Sequence, residues 1–291
     1  MSVQPGPTVR RRQVGRALRS YRVEAGLSVQ EVAERLLCSP AKISRIETAQ
    51  RNPTLRDVRD LLNMYGVLDE QIHERLMAMA RESRERGWWQ TLNLSPALEV
   101  LIGMERAATH IKEFEILAIP GLLQTREYAA EILRASSPDD PDRGQAKVDI
   151  RMRRQRILKE SPPPPQLTVI LDEAAVHRLV GGKVVFKRQL NHLIEMIDAS
   201  TLELRVIPFS AGAYVGMLNG FTLLEFDPEA ANGAEPDIHP VAYVEYHQTD
   251  TMFFDEPVAV DEYARTFAAL RNHSFSQRES RSLLLSVTEV L

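Results

Sequence analysis

The chain has 291 residues, 44% hydrophobic and 26% charged, the balance of a folded protein with a sizeable core and not of a disordered one. No apolar run approaches the ~20 residues of a membrane-spanning helix, and residues 1–14 are polar and basic, without the apolar centre of a signal peptide, so a cytoplasmic protein is expected. Charge is unevenly spread: 12 Lys/Arg face 6 Asp/Glu in residues 1–65, although the whole chain has a formal net charge of −4, so a basic module for a polyanion precedes an acidic body.

In chain order, residues 1–9 read as a flexible basic tail, and four helical patterns fill residues 10–67. The first, over 9–25, sets Val14, Ala17, Leu18 and Tyr21 on one face and stops at Gly26, a ready left-handed cap. Ser28 and Glu31 have capping-box spacing, and Val29, Val32, Ala33 and Leu36 follow as a buried stripe. Ser39-Pro40 supplies an N-cap and a proline in the first turn of a third helix, whose buried edge is Ile43 and Ile46. Arg51-Asn52-Pro53 breaks it, and Thr54 with Asp57 opens a fourth helix that turns Leu55, Val58, Leu61 and Leu62 inward. A connecting helix over 69–86, within residues 68–87, buries Ile72, Leu76, Met79 and Ala80 and ends in a charged run before Gly87, where the domain boundary is placed.

Beyond it, helical patterns cover 96–114, 126–135 and 144–160, and Pro162–Pro165 form a stiff connector. Strand-like runs rich in β-branched and aromatic residues follow at 167–171, 201–208, 221–226 and 241–246. Helical patterns lie at 172–180, 184–198, 260–272 and 277–290. The expected fold is α+β overall: an all-α, five-helix N-terminal helix-turn-helix domain, then a mixed α/β domain with a small sheet over 88–291.

Function is carried by the second and third helices. Only Leu37-Cys38 separates them, so they cross steeply and the third projects its polar face outward. Ala41, Lys42, Arg45 and Thr48 lie on that face, opposite Ile43 and Ile46, and such a helix fits the major groove of double-stranded DNA. Arg45 is the best base reader, since a guanidinium gives two parallel hydrogen bonds to guanine; Lys42 suits base or phosphate, and Ala41 a thymine methyl. Phosphate contacts are expected from Arg10, Arg11, Arg12 and Arg16, from Ser39 and Ser44, and from Gln50, Arg51 and Asn52.

Leu27-Ser28, Val32-Ala33, Ser39, Ile43-Ser44-Arg45-Ile46-Glu47 and Pro53 together resemble the lambda-repressor/XRE class of helix-turn-helix proteins over residues 10–67. The resemblance implies that Glu47 forms a structural ion pair with Arg22 of the first helix. Two positions depart from the common pattern: Val29 replaces a frequent glutamine, and Ala49 a frequent glycine.

Further on, Ile119-Pro120-Gly121-Leu122-Leu123-Gln124-Thr125 with Tyr128-Ala129, Arg153, Arg156 and Leu158, Leu171-Asp172-Glu173, Gly181-Gly182, Gln189-Leu190, Tyr243 and Glu245 resemble the C-terminal domain of WhiJ-like actinobacterial regulators. That resemblance implies a regulator whose second domain dimerises, senses a small-molecule ligand or receives a small partner protein in an antitoxin-like arrangement.

Catalysis is not expected. Seven dispersed histidines include no H-E-x-x-H, no G-x-S-x-G occurs, and Cys38, the single cysteine, lies on the turn into the reading helix. Gly181-Gly182 lacks the context of a phosphate loop, Asp172-Glu173 reads as helix capping, and Trp88-Trp89 either packs or lines a small-molecule site. The expectation is a non-enzymatic transcription regulator, without metal or cofactor, that binds a pseudo-palindromic DNA operator as a homodimer. The alternative is an antitoxin-like adaptor that holds a small partner protein and uses DNA binding for autoregulation.

Overall fold

The computed structural model describes residues 6–85, 87–92, 94–136, 141–160, 163–226, 239–245 and 251–291. The described residues divide into two compact units, with the break between Ala107 and Ala108.

The first unit is helical. Its elements are α1 (Pro7–Glu24), α2 (Val29–Arg35), α3 (Pro40–Glu47), α4 (Leu55–Met64), α5 (Glu70–Glu82) and α6 (Pro96–Glu105), with a short 3-10 helix at Trp88–Thr91 before α6. Their starts are chemically marked. Ser28 and Thr54 make reciprocal capping boxes with Glu31 and Asp57, while Ser39, Asp69 and Ser95 accept amide hydrogens from the first turns of α3, α5 and α6. The inward stripes meet in one core of Val14, Leu18, Val32, Ile43, Ile46, Val58, Leu61, Leu62, Leu76 and Met79. Each such side chain contributes ~1.5–3 kcal/mol by leaving water.

Two features of this unit differ from the sequence expectation. Pro7, Thr8 and Val9 belong to α1, with Thr8 and Val9 buried, and only residues 1–5 of the expected tail lie outside the described residues. The unit also runs past the charged segment taken as its limit, because α6 packs on α1. A Cβ on Gly103 would stand 2.2 Å from the Thr8 hydroxyl, so glycine permits this approach. Trp89 is buried here beneath Arg106, whose Cζ lies 5.6 Å from the ring centroid.

The second unit holds a mixed sheet of β1 (His110–Glu115), β2 (Gln166–Asp172), β3 (Glu203–Ile207), β4 (Phe221–Glu225), β5 (Val241–Glu245) and β6 (Thr251–Phe254), in the order β3-β2-β1-β4-β5-β6. β1, β2 and β3 are parallel; β4, β5 and β6 continue antiparallel. The chain passes from β1 to β2 through α7 (Arg126–Ser136), α8 (Pro141–Arg154) and α9 (Ile157–Glu160), and from β2 to β3 through α10 (Gly182–Asp198). Helices α11 (Pro257–His273) and α12 (Gln277–Val290) close the chain. Phe114, Ile170, Ile207, Phe221, Leu223, Ala242 and Val244 form one sheet face against Val260, Phe267 and Leu270 of α11.

The helix expected over 96–114 stops at Glu105, and its last residues are instead the central strand β1; the edge strand β6 was not anticipated. β1 carries Lys112, Glu113 and Glu115 between its apolar residues, a pattern without the continuous apolar run of a buried parallel strand. The helix expected over 172–180 is a short 3-10 turn at Glu173–Val176, opened by Asp172 capping Ala174. Of the expected strand 241–246, residues 241–245 form β5 and 246 lies outside the described residues, as does Pro162 of the proline run.

The Ile-Pro-Gly-Leu-Leu-Gln segment is a hydrogen-bonded brace. Gln189, fully buried on α10, accepts from Thr125 N–H at 2.7 Å and donates to Leu123 C=O at 2.8 Å. Gln124 donates to Ile119 C=O, and Gln155 donates to the carbonyls of Gly121 and Gln124. Arg151 donates to Gln124 Oε1 at 2.6 Å; burial and the nearby Arg154 lower its pKa to about 10.

On the sheet face opposite α11, Glu113 is aligned with Thr222, and Thr222 with Tyr243. Glu115 follows Glu113 two residues on, its carboxylate 3.0 Å from where a Cβ of Gly220 would stand. Burial, and then the charge of Glu245, raise the Glu115 carboxyl from 4.5 to about 7. The folded protein therefore holds a proton there that the unfolded chain releases, and stability falls as pH rises from about 4.5 to about 7. Glu115→Gln should flatten that slope and stabilise the protein at about pH 8 by about 1–3 kcal/mol, read from urea unfolding across the window. An unchanged slope would show that Glu115 ionises freely in the folded state.

Candidate nucleic-acid interface

The reading helix is held at both ends. At its C-terminal end, Arg22 of α1 donates to both carboxylate oxygens of Glu47, at 2.7 and 2.9 Å, and a third hydrogen bond runs to Leu27 C=O at 2.7 Å. The two side chains are 12% and 4% exposed, so the pair is withdrawn from water, and the Glu47 carboxylate raises the Arg22 pKa. Burial, and next the Glu47 charge, also push the Tyr65 hydroxyl well above its ordinary range, keeping it neutral. At the N-terminal end, Ser39 accepts the Lys42 amide hydrogen and Lys42 Nζ meets Asp57 Oδ1 of α4 at 2.5 Å.

Between these ties, Ala41, Ser44, Arg45 and Thr48 are exposed on one face. Thr48 donates its hydroxyl to Ser44 C=O at 2.8 Å, so that side chain is already oriented. Arg45 is exposed and makes no ion pair among the described residues, and the same holds for Arg51 in the following loop. That loop is anchored by Arg51 N–H to Arg45 C=O at 3.0 Å and by Arg84 to Pro53 C=O at 3.0 Å. Gln50 is exposed; Asn52 is half-buried, its Oδ1 without a hydrogen-bond partner.

Several residues expected to touch DNA are engaged elsewhere. Arg10 is 5% exposed and meets Glu82 of α5 at 2.6 Å, so it ties α1 to α5 instead of presenting a charge to phosphate. Arg11 is half-buried, and burial followed by the Arg12 charge lowers its pKa. Arg12 and Arg16 are half-buried. Lys42, expected to face bases, is held by Asp57. The basic start of α1 is therefore in good part structural, because α5 and α6 pack over it.

Sequence reasoning passed over two positions that shape this surface. Gly15 lets α1 approach α3: a Cβ there would lie 2.5 Å from Ile46 O and 2.8 Å from Glu47 O, both backbone atoms. A glycine inside a helical pattern was the available signal. Leu37, in the turn between α2 and α3, adopts φ 51° and is 95% exposed. Ala49, after α3, has φ 57°, the left-handed conformation suited to the glycine common at that point.

A helix-turn-helix unit with an outward cationic face belongs to the class of folds found in DNA-binding regulators. Residues 13–75 match a helix-turn-helix domain family. Residues 98–286, well over half of the chain, match a domain of unknown function, DUF5753, and the chain belongs to that family. Searches of curated proteins and of solved structures found no significant match. Among the described residues no helix is long and apolar enough to cross a membrane, and no group of three or more His, Cys, Asp or Glu is placed to hold a metal.

Gly15→Ala should destabilise the protein by about 1–3 kcal/mol through overpacking against the α3 backbone, the reverse of the usual gain in a helix. Thermal unfolding checks it, and a higher melting temperature would refute the close approach. Leu37→Gly should stabilise by about 1 kcal/mol, because the left-handed conformation strains leucine and little apolar burial is lost. Loss of stability in urea titration would mean that Leu37 packs in a way the exposed turn does not allow.

Proposed function

We propose that the chain is a sequence-specific transcription regulator of the XRE type, with the WhiJ-like C-terminal architecture, that binds duplex DNA through α3. It acts as a homodimer on a pseudo-palindromic operator, with half-sites about one helical turn apart or a multiple of it. The carrying observation is the exposed face of Ala41, Ser44, Arg45 and Thr48 on a helix fixed at both ends. On this reading Arg45 reads a guanine, Ala41 and Thr48 contact neighbouring bases, and Ser39, Ser44, Gln50 and Arg51 line the phosphates. The second unit dimerises and receives a ligand or partner; the chain works in the cytoplasm, and catalysis has no part in the reading.

The antitoxin-like adaptor is supported by a separate observation. Between β3 and β4, Phe209, Val215, Met217 and Leu218 are 62%, 49%, 43% and 84% exposed, a concentration of apolar surface suited to a protein partner. Co-purification of a stoichiometric small protein favours this second reading.

Arg45→Ala should cost ~1–3 kcal/mol at one base position, whereas Arg51→Ala should weaken all sequences alike and reduce the salt slope by about one. Gel shifts on matched and mismatched operators decide it. Equal discrimination by wild type and Arg45→Ala would refute base reading by Arg45.

A further inference from the structure

Lys42 lies in the first turn of α3, yet its ammonium group is committed within the fold. Nζ meets Asp57 Oδ1 at 2.5 Å, and the two side chains are 28% and 12% exposed. The same carboxylate starts α4: its Oδ2 accepts Thr54 N–H at 2.8 Å, while Asp57 N–H donates to Thr54 Oγ1 at 2.9 Å. Burial opposes a charge on Asp57, but the Lys42 and Thr54 hydrogen bonds outweigh it and hold the carboxyl below its ordinary value. Near neutral pH Asp57 is thus a full anion, with one oxygen spent on capping and the other on Lys42.

We propose that Lys42 is a positioning residue of the DNA interface and does not itself contact DNA. This rests on the reading of α3 as the DNA-reading helix. The Lys42–Asp57 pair clamps the two ends of residues 42–57, the stretch that carries Arg45 on the helix and Gln50, Arg51 and Asn52 in the loop. Inside the clamp the loop has little regular structure, and its backbone is already tied by Arg51 N–H to Arg45 C=O and by Arg84 to Pro53 C=O. The result is one preset surface on which the base-reading cation and the phosphate-facing cation keep a fixed separation, so less ordering remains to be done on binding. For Lys42 to reach a phosphate it would have to abandon a half-buried carboxylate, leaving that anion without its counter-charge. The exposed cations Arg45 and Arg51 carry no such cost.

The two roles differ in salt dependence. A lysine on a phosphate adds about 0.9 to the slope of log affinity against log salt, whereas a lysine inside the fold adds nothing. Full-length Lys42→Met, Lys42→Arg and Asp57→Asn are compared with wild type on a selected operator duplex between about 50 and 200 mM salt. Lys42→Met and Asp57→Asn should each weaken binding roughly three- to tenfold with an unchanged slope, while Lys42→Arg stays within about twofold. In the unbound protein, amide exchange across residues 48–54 should speed up in Lys42→Met and not in Lys42→Arg. A slope flattened by about 0.9 in Lys42→Met, or tighter binding by Asp57→Asn, would place Lys42 on the phosphates and overturn the proposal. Unchanged affinity and exchange in Lys42→Met would overturn it equally. Failure of the wild type to bind any selected duplex would instead remove the DNA reading on which the clamp's role depends.

Discussion

The Arg22 guanidinium and the Glu47 carboxylate are both largely withdrawn from water, and each offsets the cost of desolvating the other's charge. One guanidinium thereby joins the end of α1, the carbonyl that precedes α2 and the last turn of α3. The gain in stability from such a pair is modest, since desolvation offsets much of the attraction; its value lies in geometry. Two parallel hydrogen bonds allow one orientation of α3 relative to α1, and Gly15 allows the backbones close enough for them to form. That anchor adds to the burial of Ile43 and Ile46 and to the Lys42–Asp57 pair in directing Arg45 outward.

Two groups of cations in the N-terminal unit bear on the interface. Arg10, Arg22 and Lys42 are held by Glu82, Glu47 and Asp57, and join helix to helix. Arg45 and Arg51 are exposed, near one another in sequence and tied together through the backbone. An ion pair within residues 1–65, such as Arg22–Glu47 or Lys42–Asp57, removes one cation and one anion and leaves the basic excess unchanged, whereas Arg10 is offset by Glu82 from beyond that stretch. Arg19, Arg35, Arg56 and Arg59 are exposed as well, so Arg45 and Arg51 are set apart by their place on α3 and its following loop and not by exposure alone.

Much of this unit was legible in the sequence because its signals are local. Ser28 with Glu31, Thr54 with Asp57, and Ser39 before Pro40 announce helix starts by chemistry confined to a few residues. The spacing of Ile43 and Ile46 identifies the buried edge of α3. The partners of Arg10 and Lys42 were not legible, since Glu82 and Asp57 are brought to them only by tertiary folding. β1 escaped for a related reason. Its Glu113 is 7% exposed in the middle of a sheet, a burial that no local pattern of charge announces, and the apolar run ahead of it extends the appearance of a helix. In the second unit the Ile-Pro-Gly motif reads as a turn, and its real neighbours, Gln155 and Gln189, lie far along the chain.

The central claim is that α3 and the loop after it form the surface that meets DNA. Hydrogen-exchange footprinting of the full-length protein, free and bound to duplexes enriched from a random pool, tests it most directly. The account predicts new protection concentrated in residues 39–52. Protection that leaves those residues unchanged while covering another surface, or a pool from which no duplex is enriched, would contradict it.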